Sequence, residues 1–211
     1  MIAPQLTADA LTCIKGDRVL FRDLSFALSG GQGLQVMGPN GVGKTSLLHI
    51  LAGLARAERG TITLPGATDE VRGVVQYLGA KDGLKNALTA AEHLVFWAGL
   101  AGRPRPARAD IMVLLAQFGL ARQIDLPAAV LSAGQRKRLS LARLDLDPSP
   151  VVLMDEPLNA LDSEGQTLLR AWLGKRLQHG AIAIVATHQA LDVPGFTTLA
   201  LAPLDALAGL S

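Results

Sequence analysis

The stretch GLQVMGPNGVGKTSLLHILAGL, residues 33–54, decides the fold. GLQVMG reads as a short buried strand, and KTSLLHILAGL as a helix with Leu47, Leu48, Leu51 and Leu54 on one face. Between them GPNGVGKT (38–45) fits G-x-x-x-x-G-K-[ST] at every position. Glycines let backbone N–H groups wrap phosphates, and the helix that follows adds its positive end. Gly38, Pro39, Asn40, Gly41, Val42, Gly43, Lys44, Thr45 and Ser46 are therefore the expected ATP-binding residues. Lys44 is expected to reach the β- and γ-phosphates, and the Thr45 hydroxyl to bind Mg²⁺. A dinucleotide-binding fingerprint fails here, because Ser46 stands where a third Gly or Ala is needed.

Working outward, VVLMDE (151–156) and AIAIVATH (181–188) are continuous apolar runs of the kind buried in a parallel sheet. RGTITLPG (59–66) and VRGVVQYLG (71–79) are further strand candidates. Residues 86–126 have helical spacing instead, with Leu88, Ala91, Leu94 and Val95, then Ile111, Leu114, Leu115 and Phe118. The Pro/Gly/Arg stretch AGRPRPARAD (101–110) interrupts them as a loop, in which Arg103, Arg105 and Arg108 are solvated or meet lipid head groups or a membrane subunit. Strands separated by helices mean α/β. The expectation is one domain over 1–211 with an inserted helical lobe at about 86–144.

The two acids of VVLMDEP end an apolar strand, where ligands gather in open α/β sheets. Alone, such a pair can be a solvated turn. Beside a phosphate loop, Asp155 is expected to hold Mg²⁺ and Glu156 to orient and deprotonate the attacking water. His188 ends the next apolar strand, one β–α–β crossover later, placed to hydrogen-bond the γ-phosphate and that water. His49, His93 and His179 have no comparable setting. LSAGQ (131–135) opens a helix with a second Ser-x-Gly turn, where Ser132 and the Gly134 N–H make another anion site or Ser132 is a plain N-cap. Arg136, Lys137 and Arg138 read as the polar side of that helix.

Composition narrows the class. Lys and Arg total 20 against 18 Asp and Glu, so a net charge of +2 gives no electrostatic case for nucleic acid. Cys13 is single, so no internal disulfide forms, and it reads as a buried structural thiol in a reducing cytoplasm. The opening residues lack a signal peptide's basic start and apolar block, and no apolar run approaches the ~18 residues of a membrane helix. Yet 49% of residues are hydrophobic and only 18% charged. Either the Ala/Leu-rich core is large or a partner covers part of the surface.

In their order, GPNGVGKT, LSAGQ, VVLMDEP, LNALD (158–162) and ATH resemble the nucleotide-binding subunits of ABC transporters, from about residue 6 to 200. The resemblance implies the P-loop NTPase fold of an ABC nucleotide-binding domain with an inserted helical subdomain. It also implies a homodimer that forms head to tail on ATP, each ATP lying between the phosphate loop of one copy and the signature of the other. Ser132, Gly134 and Gln135 are then the signature residues acting in trans, and Asp162 belongs to the loop crossing the dimer interface. Lys44, Glu156 and His188 carry catalysis by this resemblance, and Thr45 and Asp155 the metal.

Within that superfamily, KGDRVLFRDLSF (15–26), YLGAKDGLKNALTAAEHL (77–94), LSAGQRKRLSLARL (131–144) and THQAL (187–191) are similar to the ATP-binding subunits of haem exporters of cytochrome c maturation. This implies an integral membrane transporter subunit and cytochrome c maturation components as partners, with the chain peripheral on the cytoplasmic face of the bacterial inner membrane. Export of a drug or glycan, and a slow nucleotide-dependent switch, remain open. No haem-ligating pattern is present in the chain.

Two positions depart from the family pattern. Ala80 stands where most members place a Gln that touches Mg²⁺ and couples to the membrane subunit; Gln76 and Lys81 are nearby but not at its spacing. Lys15 stands where an aromatic stacks on adenine, with Phe21 as the other candidate for that task.

Overall fold

The apolar runs at 33–37, 151–155 and 182–186 lie side by side as parallel strands. The computed structural model describes residues 5–64 and 74–204. Its strands are β1 (Gln5–Lys15), β2 (Arg18–Ser29), β3 (Gly33–Met37), β4 (Arg59–Thr63), β5 (Val75–Leu78), β6 (Val151–Asp155), β7 (Ile182–Ala186) and β8 (Phe196–Ala200). The helices are α1 (Lys44–Leu51), α2 (Ala90–Leu100), α3 (Arg108–Gln117), α4 (Ala133–Ala142) and α5 (Ser163–Gln178).

Five strands form one sheet in the order β5-β6-β7-β3-β8, with β6, β7, β3 and β8 mutually parallel. Every residue of β6 and β7 is buried, which is why neither shows the alternation of a half-exposed strand. A second sheet, β2-β1-β4, is antiparallel. The chain falls into two compact units. The first takes in the described parts of Met1–Tyr77, Ser149–Pro157 and Arg170–Ser211. Its core joins Leu6 and Leu11 of β1, Leu34 of β3, Leu47 and Leu48 of α1, and Ile184 of β7. Cys13 lies in this core, where burial pushes its thiol up against the opposing charge of Lys15, so it packs as a small apolar residue.

The second unit comprises Leu78–Pro148 and Leu158–Leu169. Thr89 starts α2 with a reciprocal cap: its Oγ1 accepts the Glu92 N–H at 3.2 Å, while Glu92 Oε2 accepts the Thr89 N–H at 2.8 Å. Leu94, Leu115, Leu120 and Leu139 are fully buried. Arg108, read from sequence as part of a loop, instead opens α3 and forks onto Asp125 at 2.9 and 2.7 Å, closing a bond within the unit. Arg103 likewise bonds Asp147.

Several expectations change. Leu54 falls beyond α1 and is 64% exposed, because the helix ends at Leu51. Lys137 and Arg138 are buried rather than on a polar face. Three consecutive helical residues point about 100° apart, so a run of three bases cannot share one side. Phe21 is buried, its ring lying under Gly43, and is closed to a base; Lys15 is exposed at the hairpin end. Residues 65–66 and 71–73 of the two strand candidates, and 205–211 of the C-terminal stretch, lie outside the described residues. Among the described residues, no helix is long and apolar enough to cross a membrane.

His93 is 1% exposed. Its Nε2–H donates to the Lys85 carbonyl at 3.0 Å, its ring leans on Trp97, and Nδ1 has no partner. Burial holds its pKa below the ordinary histidine value, outweighing the opposing pull of the Lys85 carbonyl. A depressed folded-state pKa gives stability that is complete above the unfolded value near ~6.5 and is lost as pH falls below it. The melting temperature of the wild type is therefore expected to drop more between pH 7 and pH 5 than that of His93→Gln, as measured by thermal scans across that range; parallel curves would exclude His93 as the group responsible.

Candidate active site

The phosphate loop spans the end of β3 and the start of α1, and its shape depends on three glycines. Gly38, Gly41 and Gly43 have φ of 147°, 78° and 116°. A Cβ on Gly38 would stand 2.3 Å from the Leu201 carbonyl oxygen, so backbone approach as well as φ demands glycine there. The loop continues through Pro39, Asn40 and the buried Val42, and Val42 N–H donates back to the Pro39 carbonyl at 3.4 Å. The first amide of α1 with a helical acceptor is Leu47, bonded to Gly43 O at 2.9 Å. The amides of Lys44, Thr45 and Ser46 thus head the helix as donors without intrahelical acceptors, the arrangement that receives anions.

Lys44 is 6% exposed and its Nζ donates to the Gly38 and Pro39 carbonyls at 2.7 and 3.2 Å. Its ammonium is also 3.9 Å from Glu156 Oε1. Thr45 Oγ1 donates to Asp155 Oδ2 at 2.8 Å. Asp155 ends β6, and Glu156 follows with φ of 46°, a left-handed conformation that costs a non-glycine residue about 1 kcal/mol or more. That turn sends the two adjacent carboxylates to different partners. Glu156 N–H is anchored to the Ala186 carbonyl at 2.8 Å, and its Oε2 accepts the His188 Nδ1–H at 3.0 Å. Nδ1 is thus engaged by Glu156, and Nε2 is the ring's other nitrogen, on a side chain 53% exposed.

Lys44, Thr45, Asp155, Glu156 and His188 are therefore one connected cluster. Its chemistry is complementary: a buried cation for phosphate, two oxygen donors within one hydrogen bond of each other, and a carboxylate paired with an imidazole. Among the described residues no three His, Cys, Asp or Glu side chains converge as an all-protein metal cage. A Thr hydroxyl beside one carboxylate instead suits a cation that keeps waters and takes phosphate oxygens, as Mg²⁺ does. Behind the cluster, Tyr77 hydrogen-bonds His49 Nε2 at 3.1 Å, and burial, with the Asp155 charge, pushes its phenol up to about 12. Tyr77 is accordingly a neutral neighbour of Asp155.

The signature and Asp162 lie in the second unit. Ser132 is the N-cap of α4: its Oγ accepts the Gln135 N–H at 3.2 Å, while Gln135 Oε1 accepts the Ser132 N–H at 2.9 Å. This reciprocal cap fixes the turn in which a Cβ on Gly134 would stand 3.1 Å from the Ala160 carbonyl oxygen. Asp162 caps α5, its Oδ1 accepting the Gly165 N–H at 2.9 Å. Ala80 and Lys81 are exposed, and Gln76 accepts the Ser149 N–H at 3.4 Å.

Residues 21–159 match the family model described as ABC transporter. The chain is 44% identical over 191 residues to the cytochrome c biogenesis ATP-binding export protein CcmA of Nitrobacter winogradskyi, covering 90% of this chain and 94% of that one. It is 41% identical over 191 residues to the protein of the same name from Yersinia pestis, covering 88% and 87%. Among solved structures, a Pyrococcus furiosus protein described as an ABC transporter ATP-binding protein superposes with a TM-score of 0.83 at 21% identity, over 93% of this chain and 97% of that one, a likeness of fold.

Gln35 carries no motif, and the sequence gives no signal for it beyond a polar residue in an apolar strand. It is buried in β3, and its Nε2 donates to the Gln189 carbonyl at 2.6 Å while Oε1 accepts the Leu191 N–H at 3.4 Å. Those bonds pin the segment that follows His188. Gln35→Leu leaves both backbone groups without these partners and is expected to cost roughly 1–3 kcal/mol, read as a lower midpoint in urea unfolding with an unchanged slope. A midpoint equal to the wild type's would show that the segment finds other partners.

Proposed function

The chain belongs to the ABC transporter family, and on that premise we propose that this ABC ATPase drives the haem exporter of cytochrome c biogenesis from the cytoplasmic face of the bacterial inner membrane. The observation that carries the ATPase chemistry is the single cluster in which Glu156 lies between Lys44 and His188 while Thr45 bonds Asp155. The names of its relatives support the cytochrome c assignment. Haem itself enters through the sequence resemblance, and the cargo is handled by a membrane subunit, since this chain has no haem-ligand pattern.

In this reading the loop from Gly38 to Ser46 wraps the phosphates of ATP. Lys44 exchanges its loop carbonyls for phosphate oxygens, and its charge stabilises the transition state as the γ-phosphoryl group leaves ADP. Glu156 accepts the proton of the attacking water, and His188 holds that carboxylate through Nδ1–H. Thr45 and Asp155 would hold Mg²⁺, which would supply positive charge against the phosphates. Ser132, Gly134 and Gln135 present the turn of α4 to the ATP of a second copy, and Asp162 belongs to the same interface. A twofold dimer then has two equivalent ATP sites.

Glu156→Gln retains ATP binding but is expected to lower turnover by about 10²–10⁴-fold, the usual contribution of a general base. Phosphate release measured at saturating ATP and Mg²⁺ tests this; turnover equal to the wild type's would remove Glu156 from its role. The same variant, tagged and recovered from detergent-solubilised membranes with ATP, is expected to bring down a multi-span membrane protein together with cytochrome c maturation components, identified by mass spectrometry. Recovery of an unrelated permease would keep the ATPase chemistry and discard haem.

A further inference from the structure

The segment just after β5 contains Ala80, at the position where the resemblance to most ABC ATPases implies a glutamine that touches the metal. Within the second unit this segment is laced to the helix that begins at Ser132. Arg136 lies one turn along α4 from Ser132, and its N–H donates to the Ser132 carbonyl at 2.8 Å. Its guanidinium then makes four bonds. Nε donates to Asp82 Oδ2 at 2.6 Å and Nη2 to Asp82 Oδ1 at 3.3 Å; Nη1 donates to Asn86 Oδ1 at 3.1 Å and to the Ala128 carbonyl at 2.7 Å. Ala128 opens the short 3-10 turn that leads into Leu131 and Ser132. One side chain thus grips the turn before the signature, the helix after it, and the segment 82–86.

The other half of the fastening belongs to Asp82. Its Oδ1 accepts the Leu84 N–H at 3.0 Å, and its backbone carbonyl accepts Ser140 Oγ, one turn beyond Arg136, at 3.0 Å. Burial opposes ionisation of Asp82, but the Arg136 and Leu84 hydrogen bonds and the charges of Arg136 and Lys137 prevail and hold its carboxyl below the usual range. Around this pair, Ala129 N–H donates to the Asn86 carbonyl at 3.1 Å and Ala128 N–H to the Leu88 carbonyl at 2.9 Å. The pair is half-buried, with side-chain exposures of 21% and 28%, and the Arg136–Asp82 contact is a charge-assisted two-point fork. Such a geometry differs from a flexible surface ion pair, whose contribution is small.

We propose that Arg136 is the positioning residue of the signature turn. Through Asp82 it makes the segment around Ala80 and the Ser132–Gly134 turn move as one piece. Ala80 carries no side chain that could reach a metal, so the segment acts on the nucleotide through the direction of the Ser132 hydroxyl and Gly134 amide. This rests on the reading that the signature meets ATP across a dimer.

The test measures ATP-driven dimerisation of the full chain in the Glu156→Gln background by size-exclusion chromatography with light scattering, beside ATP affinity of the dilute monomer. Arg136→Ala is expected to raise the ATP concentration for half-dimerisation by about tenfold, as loss of a charge-assisted network would, while monomer affinity stays within about twofold. Arg136→Lys keeps the charge but not the fork, and is expected to recover part of the loss. Asp82→Asn is expected to shift dimerisation in the same direction, and both milder variants serve if Arg136→Ala does not fold. Unchanged dimerisation in folded Arg136→Lys and Asp82→Asn would overturn the proposal, as would a loss of monomer ATP affinity equal to the loss of dimer. If Glu156→Gln itself stays monomeric in ATP while wild type still hydrolyses it, the in-trans reading fails and this proposal falls with it, the ATPase assignment standing.

Discussion

The hydrogen bond from Thr45 to Asp155, 2.8 Å long between residues 110 apart in sequence, joins the two motifs on which the site depends. Neither residue could reach the other unless β3 and β6 ended at the same edge of one sheet. They do so because β7 lies between them in parallel register, with Val36 opposite Ala186 and Asp155 opposite Ala186 from the other side. One residue of β7 therefore indexes both flanking strands. The same residue's carbonyl takes the Glu156 N–H, which helps fix where the chain leaves β6 and turns the second carboxylate away from the first. A one-residue slip of β6 would reverse which acid faced Thr45, so strand register is itself a determinant of the chemistry.

This dependence explains which parts of the molecule can be read from sequence. The strands that carry the site are buried on both faces, so their residues are apolar apart from Gln35 and Asp155 and stand out as runs; the loop between β3 and α1 stands out because its glycines answer a backbone requirement. The same clarity fails in the antiparallel sheet. In β1 the register against β2 shifts between Ala8 and Leu11, again to Cys13 and again to Ile14, and Ala10 has φ of 49°. Each irregularity resets which residues face inward, so alternation never persists long enough to mark QLTADALTCIK as a strand. β8, FTTLA, is mostly exposed or half-buried and carries no run at all. The basic triplet after LSAGQ misleads for another reason, since composition calls it polar while helix geometry divides it among three directions.

Gln35 and Arg136 share a property that no motif reveals. Each uses a side chain to satisfy backbone groups of a distant segment, and the recipients are carbonyls and amides, whose identity the sequence does not encode. Gln35 would read as a defect in an apolar strand, yet an amide is the side chain that can both donate to a carbonyl and accept from an N–H. Arg136 would read as solvated charge, yet guanidinium supplies donors in a planar fork that spans a carboxylate and still reaches a carbonyl. Side chains of this sort are legible only once the fold has placed their recipients.

Lys15 bears on how the nucleotide is held. With an exposed lysine at the hairpin end and Phe21 committed to the core beneath Gly43, neither of the two side chains considered for the adenine supplies a stacking face. Base stacking is worth about 1–3 kcal/mol in single-stranded nucleic-acid sites, whereas charge-assisted bonds to phosphate are individually of similar size and several act together. On the proposed reading, the phosphate loop, with Lys44 and the opening amides of α1, would outweigh any one base contact. Recognition concentrated on the phosphates ties binding to the part of the nucleotide that the reaction changes: cleavage of the terminal phosphate removes an anchor, while a base contact would be indifferent to it. Under the proposed function, the energy of holding the nucleotide and the signal that it has been spent would come from the same few residues.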